Sequence, residues 1–310
     1  MIRYLTKRNF SAGSWLRFLL YPDPECLCEF PAEFEGGAAR RDQLCSEFSR
    51  VMSSIRIGRI YKVTSPARLE ETNRVLCAQL RKRGIKQIHF LDLGGSDGIT
   101  TLETLRLLES KLDIAVCATL VDRYIDLQRY ESSWLTEYRM SDGSPVMARL
   151  GCLGLLLSDV SPTRYPVSRW LGRLFLSCRA FREAMPLTAT FSLINPMVVA
   201  HPSLAVVEWN ALERNPDLVG QFDVIRASNI LNLGYFSRPQ IEQALSHLHD
   251  YLVDSGLLIV SRNHYESCGQ VEHGSLWSRQ SDGFKHLDDF GGGSYIANIV
   301  DDLRTSAVQR

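Results

Sequence analysis

From about residue 65 onward the apolar positions switch between a helical and an extended period, which predicts strands alternating with helices. "SPARLEETNRVLCAQLRKRG" carries Leu69, Val75, Leu76 and Leu80 near helical spacing and closes at Gly84, a C-cap glycine. "KQIHFLDLG" follows as a strand and "ITTLETLRLLES" as the next helix. "DIAVCATLVD" is a near-continuous apolar run, the pattern of a strand covered on both faces. "LAVVEW" and "FDVIRAS" predict two more strands. Ser237, Arg238, Pro239 and Gln240 then read as a capping box with proline in the first turn. Ile241, Ala244, Leu245, Leu248, Tyr251 and Leu252 make the buried face of that helix. Gly256 is expected to end it, with "GLLIVSR" as the next strand. In "SLWSRQSDGFKHLDDF", Asp282-Gly283 sits between two short apolar segments, a hairpin signal.

Alternation of this kind implies an α/β fold with a doubly wound, mostly parallel sheet. The gap from about Ile125 to Ser203 is far longer than a βαβ crossover needs. In it, "VSRWLGRLFLSCRAFREAM" places Val167, Trp170, Leu171, Leu174, Phe175, Cys178 and Met185 on one helical face, with Arg169, Arg173, Arg179 and Arg182 off it. We therefore expect an N-terminal helical segment over 1–64 and a second domain over 65–310, carrying a helical insert at about 125–203. The insert reads as packed core, as a lid over an acceptor, or as an interfacial helix over 167–185 making peripheral membrane contact. The start, "MIRYLTKRNFSAGSWLRFLLY", has Arg3, Lys7, Arg8 and Arg17 interrupting its apolar residues, so it reads as an amphipathic leader, not a signal peptide. No run approaches the roughly 20 apolar residues of a membrane span.

Composition narrows the classes. The 310 residues are 45% apolar, enough for a sizeable core, and the formal net charge is zero, so no global field favours nucleic acid. The eight cysteines are scattered; Cys26-x-Cys28 is isolated and no CxxC pair occurs, so no metal site is expected. Reduced thiols in a cytoplasmic protein are the expectation.

The chemistry concentrates in "FLDLGGSDGITTLE", Phe90 to Glu103. Gly94, Gly95 and Gly98 follow a strand and precede a helix, where the backbone can turn sharply beside a ligand. In doubly wound sheets ligands bind beyond the carboxyl ends of the strands. A dinucleotide loop would want G-x-G-x-x-G; here Asp92 is followed by Gly94-x-Ser96-x-Gly98. That order resembles the first motif of class I S-adenosylmethionine-dependent methyltransferases, acid-x-Gly-x-Gly-x-Gly, with Ser96 for the middle glycine. The resemblance covers roughly 65–290. "FDVIRASNILNLGYF…LVDSGLLIVSRN", about 222–264, also resembles the chemotaxis-receptor type, whose protein-glutamate substrate is not carried over.

The resemblance implies a Rossmann-like methyltransferase fold of seven strands, with S-adenosyl-L-methionine held by Asp92, Gly94, Gly95, Ser96, Asp97 and Gly98. Asp122, at the tip of "LVD", would accept from both ribose hydroxyls; Asn210 and Ala211 would lie by the adenine; Ser228 and Asn229 would end the fourth strand facing the sulfur and the acceptor. Asn229 and His264 are the catalytic candidates. Each has a plainer reading as a turn, cap or loop residue. Methyl transfer needs mainly proximity and alignment, because the cofactor supplies the electrophile. It demands no Ser-His-Asp set or metal, and none is visible. The methyl acceptor, small molecule or protein, is left open; the fourth strand ends in "SNIL" and no basic stripe accompanies it, so nucleic acid is not expected. Two other classes compete. A polyamine-synthase type of aminopropyl transferase shares a "GGxDG" loop but would need an acidic base after the fourth strand, and a non-catalytic relative would bind the cofactor without turnover.

Overall fold

The computed structural model describes residues 38–52, 56–57, 60–61, 64, 67–150, 153–157, 166–266 and 269–308. The amphipathic leader, Cys26-x-Cys28, Cys152, Cys268 and Arg164 lie outside the described residues. The chain starts with helix α1 (Ala38–Met52), the short antiparallel pair β1 (Arg56–Ile57) and β2 (Ile60–Tyr61), α2 (Glu70–Arg83), β3 (Gln87–Leu93), α3 (Ile99–Leu112) and β4 (Ala115–Asp122). Its middle supplies β5 (Asp126–Glu131), β6 (Leu135–Met140), β7 (Pro145–Leu150), β8 (Leu153–Leu156), α4 (Pro166–Ser177), α5 (Arg179–Glu183), β9 (Leu187–Ser192) and the single turn α6 (Pro196–Val199). Then come β10 (Leu204–Glu208), β11 (Phe222–Ser228), α7 (Arg238–Tyr251), β12 (Leu252–Glu266), β13 (Gly269–Gln280), β14 (Gly283–Phe290) and α8 (Ala297–Val308).

Two compact units result. Among the described residues, one joins those up to Thr64 with those of Tyr124–Met197; the other joins those of Ser65–Arg123 with those of Val198–Arg310. The second unit is built on a seven-stranded sheet of order β10-β4-β3-β11-β12-β13-β14. The first five strands are parallel, and β13 runs antiparallel to both its neighbours. This is the mostly parallel sheet that the strand-helix alternation predicts, with the seven strands of the Rossmann-like fold that the resemblance implies. One face carries Leu91, Leu93, Ile225, Ala227, Leu258, Val260 and Trp277 against α7 and α8. Asp92 and Arg226, at alternate positions, hydrogen-bond to α3 on the other face, so the sheet is wound on both sides.

Local signals act as their physics requires. Gly84 adopts φ +64° and its N–H reaches the Arg81 and Leu80 carbonyls, closing α2. Ser237 and Gln240 form the reciprocal capping box of α7, and Ile241, Ala244, Leu245, Leu248 and Tyr251 are all buried beneath it. Ser281 and Asp282 separate β13 from β14, with Gly283 at φ +129°. One boundary differs. α7 ends at Tyr251, and Gly256 lies within β12. The pairing with β11 slips there, from Phe222–Leu252 to Val224–Leu257, and Ser255 takes φ +63°. A Cβ at Gly256 would meet the Val253 and Phe222 carbonyl oxygens, at 2.9 and 3.2 Å. This glycine permits an irregular strand entry, not a helix stop.

The first unit carries a second sheet, antiparallel, of order β8-β7-β6-β5-β9. On one face Leu127, Tyr138, Met140 and Met147 pack with Leu44, Phe48 and Met52 of α1. On the other, Leu135, Ala148, Leu155 and Met185 pack with Leu171, Phe175 and Leu176 of α4. The stretch expected as a helical insert thus holds helices and a five-stranded sheet. Helices cover both faces of the sheet, which blurs the alternation that would have betrayed its strands. The apolar stripe is also rotated from the sequence reading. Trp170 is 63% exposed and Leu174 50%, so neither is core. The side chains of Val167, Arg169 and Arg179 lie outside what is described. Among the described residues no helix is long and apolar enough to cross a membrane.

Leu248 is fully buried on the inner face of α7, so Leu248→Ala should cost about 2–5 kcal/mol in urea unfolding. Trp170→Ala should stay within about 0.5 kcal/mol, as for an ordinary surface change.

Candidate functional site

The carboxyl ends of the parallel strands bring the sequence-predicted residues into one row. Glu208 pairs with Asp122 across β10 and β4, Val121 pairs with Leu93, Leu93 with Ala227, and Ser228 with Ser261. The β3–α3 loop rises from the middle of this row. Gly94 and Gly95 donate their N–H groups to the Val121 carbonyl at 2.7 and 3.4 Å, and Gly98 donates to Gly95 at 3.0 Å. Gly94, Ser96 and Gly98 all take left-handed φ, at +71°, +61° and +85°. The glycines also allow close packing: a Cβ on Gly94 would meet Ile230 at 2.9 Å, and one on Gly98 would meet Leu120 and Val198 at 2.7–2.8 Å. A larger side chain at Gly94 would thus collide with the protein itself before any ligand.

Asp122 is tied directly to this loop. Its Oδ2 accepts the Ser96 N–H at 3.0 Å, and its own carbonyl accepts the Trp209 N–H at 3.0 Å. Three strand ends, those of β3, β4 and β10, are thereby held around one residue, the first through its carboxylate and the last through its backbone carbonyl. Ser96 Oγ is buried and has no hydrogen-bond partner among the described residues, an orphan that ordinary folding avoids. Asp97 is buried at the start of α3, where its Oδ1 accepts the Ile99 N–H at 3.1 Å.

The other predicted residues are held by the protein. Asp92 forms a buried two-point ion pair with Arg226, Nε to Oδ1 at 2.9 Å and Nη2 to Oδ2 at 2.5 Å, and also accepts from Thr101. Arg226 donates further to Thr104 at 2.6 Å and lies over the Phe90 ring. Asn210 closes a turn, accepting from Leu212 N–H at 3.2 Å and donating to Glu213 at 3.1 Å, and Ala211 is buried in the core. Ser228 Oγ is 2.7 Å from Ser261 Oγ. Asn229, at φ +64°, donates to Asn263 Oδ1 at 2.9 Å and accepts the Asn263 N–H at 2.8 Å; Asn263 in turn donates to the Arg68 carbonyl. His264 is exposed, its ring edge-on to His273 with centroids 6.1 Å apart.

Behind the row is a buried polar layer that sequence reading missed. Glu272 accepts the Glu71 N–H at 2.7 Å and the Thr72 N–H at 3.4 Å, capping α2 from a strand two hundred residues away. Thr72 donates to Glu272 Oε1 at 2.7 Å, and its Oγ1 lies 2.9 Å from Ser261 Oγ, so hydroxyls link Glu272 to Ser228. Burial pushes the Glu272 carboxyl above its ordinary value despite these donors, and burial does the same to Glu103, which accepts the Ala67 N–H. Burial lowers Arg68, against the pull of Asp97. One signal could have found part of this layer. Arg226 interrupts an apolar strand, and an arginine there needs a buried acid, such as the one in "FLDLGG".

No protein-family model matches the chain, and no curated protein matches it. Solved structures do resemble it. One is the CMeT domain of the citrinin polyketide synthase, 18% identical over 74% of this chain and 41% of that one, with a TM-score of 0.33. A second is an S-adenosylmethionine-dependent methyltransferase from Clostridium acetobutylicum, 9% identical over 78% and 81%, at 0.34. A third is a sugar N-methyltransferase from a Streptoalloteichus species, 12% identical over 78% of each chain, at 0.31. This chain spans 41% to 51% of the length of the first three structures it matches.

Removing Arg226 alone leaves Asp92 buried and unpaired, so Arg226→Met should destabilise the second unit by about 3–5 kcal/mol. Adding Asp92→Asn should recover much of the loss, read by chemical unfolding as a double-mutant cycle. A raised carboxyl contributes stability that is complete below its unfolded value, here 4.5, and is lost as pH rises through the folded value. Wild-type stability should therefore carry a term that falls as pH rises above 4.5, and Glu272→Gln should remove part of that fall in a pH series of unfolding curves.

Proposed function

We propose that the chain binds S-adenosyl-L-methionine at the β3–α3 loop and acts as a methyltransferase on a small-molecule or protein acceptor. One observation carries this reading: the Asp122 carboxylate is fixed by the Ser96 N–H at 3.0 Å, beside a Ser96 hydroxyl that is buried without a partner. Asp122 stands at the strand edge beside the loop, and a carboxylate, an acceptor at both oxygens, suits the two donors of a vicinal diol such as the ribose. The Ser96 hydroxyl is free to pair with a polar group at the cofactor's amino-acid end. Together these residues fit a ligand that is polar at one end and carries a ribose.

When bound, the cofactor supplies an activated methyl group. The chain's part is to hold and align. Asp122 orients the ribose, the left-handed loop at Gly94, Ser96 and Gly98 lets backbone approach, and the Asn229–Asn263 pair steadies the segment after β11. Tyr295, donating to the Leu231 carbonyl, ties down the same segment. Asp92 serves this site through its lock on Arg226, not by touching a ligand. Asn229 and His264 remain the candidates for the acceptor side; Asn229 would act there as a positioning residue, since Asn263 occupies both ends of its amide. The likeness of 222–264 to chemotaxis-receptor methyltransferases supports the class without naming the acceptor.

Isothermal titration with S-adenosylmethionine tests the proposal, with decarboxylated S-adenosylmethionine and NAD as controls. Binding should favour S-adenosylmethionine. Asp122→Ala should weaken it by about 1–3 kcal/mol, the scale for leaving ligand hydroxyls unpaired, with unfolding curves confirming that the fold is intact. Equal affinity in a folded Asp122→Ala protein, or preference for NAD, would overturn the assignment.

A further inference from the structure

In the first unit, one face of the antiparallel sheet carries a charge imbalance. Directly opposed residues share a face, so Gln128 stands beside Arg139, Tyr130 beside Glu137, and Thr190 beside Gln128. Glu137 is fully buried and accepts from two arginines. Arg139 Nη2 reaches its Oε2 at 2.9 Å; Arg182 of α5 reaches Oε1 through Nε at 3.0 Å and again through Nη2. Arg139 Nη2 also donates to the Arg182 carbonyl at 2.6 Å, and its guanidinium lies 4.0 Å from the centre of the Tyr130 ring. Both arginine side chains are 14% exposed. Two mostly buried cations thus share one carboxylate. Arg129 and Glu131 pair with each other at the alternating positions, so Glu131 does not balance this face.

The donors are as unbalanced as the charge. Arg139 Nε is buried with no acceptor among the described residues, while Arg139 Nη1 and Arg182 Nη1 make no hydrogen bond to the described residues and are not buried. A buried excess charge is costly, and an arrangement that only fastened α5 to the sheet would need one arginine. The face is also open on one side. α4 packs towards β8, whereas Leu187 and Thr190 on the opposite edge strand β9 are exposed. Between them Gln128 turns its Oε1 to the Tyr130 hydroxyl, at 2.9 Å, which leaves its NH2 group as a further donor.

We propose that Arg139 and Arg182, with Gln128 beside them, form a binding site for a small oxyanion, a phosphate or carboxylate group, which neutralises the second guanidinium. Guanidinium forks suit both groups because each offers two coplanar oxygens. The site lies wholly in the first unit and does not rest on the methyl-transfer reading.

The test is titration of the full chain with inorganic phosphate and with acetate, in calorimetry and thermal melting, at constant ionic strength set by chloride. Phosphate or acetate should bind with a dissociation constant of about 10 mM or tighter and raise the melting temperature above the chloride control. The two arms separate a phosphorylated ligand from a carboxylic acid. Arg139→Gln leaves Glu137 and Arg182 as a neutral pair, so it should fold and lose binding about tenfold or more. Arg139→Lys keeps the charge without the fork and should lose part of the affinity, and it decides the matter if the glutamine variant does not fold. Absence of any effect beyond chloride, or unchanged binding in a folded Arg139 variant, would show the cluster to be a structural fastening only.

Discussion

The buried pair of Asp92 and Arg226 is the interaction on which the second unit turns. It joins β3 to β11, the two central strands, and through Thr101 and Thr104 it joins both to α3. Neither charge would be tolerable there alone, because a mostly apolar interior gives an isolated ion several kcal/mol of desolvation penalty. Together, with their hydrogen bonds satisfied, they fix the register of the strands from which the glycine loop emerges. The loop's left-handed residues, its contacts to Ile230, Leu120 and Val198, and its tie to Asp122 all depend on β3, β4 and β11 meeting in that register.

A second buried acid does similar work further along the sheet. Glu272 on β13 caps α2, and its hydroxyl partners run through Thr72 and Ser261 to Ser228 at the end of β11. A polar layer therefore lies between α2, α3 and the sheet, on the face opposite the apolar packing of α7 and α8. The α7 and α8 face is held by non-directional burial; the other adds directional bonds to the burial of Leu76 and Leu80 of α2 and Leu102, Leu105 and Leu108 of α3. That difference accounts for the order at the strand ends, where Ser228 and Asn229 have partners before any ligand arrives.

The first unit shows the same device with the charges reversed in number. Glu137 is the buried acid, and two arginines converge on it where one would suffice. In the second unit the acid and base at the centre match. In the first they do not, and the edge strand β9 beside them leaves Leu187 and Thr190 exposed.

Much of the second unit was legible in the chain. The strand-loop-helix at Phe90–Glu103, the capping box at Ser237 and the turn before Gly283 depend on dihedral demands and hydrogen bonds within a few residues, which sequence displays directly. The placing of Asp122 beside the glycine loop was legible too, since parallel strands bring their carboxyl ends to one edge. Other features were settled only by tertiary structure. Asp92 and Arg226 are 134 residues apart, and Thr72 and Glu272 are 200 apart. Asn229 pairs with Asn263, 34 residues away. The helical stripe at Val167–Met185 told that apolar residues recur along one side, but Trp170 and Leu174 face solvent while Leu171 and Phe175 are covered. Periodicity states which residues share a face of an element. Which face is covered, and which charge meets which, depends on neighbours brought together by long-range packing, and no local pattern encodes them.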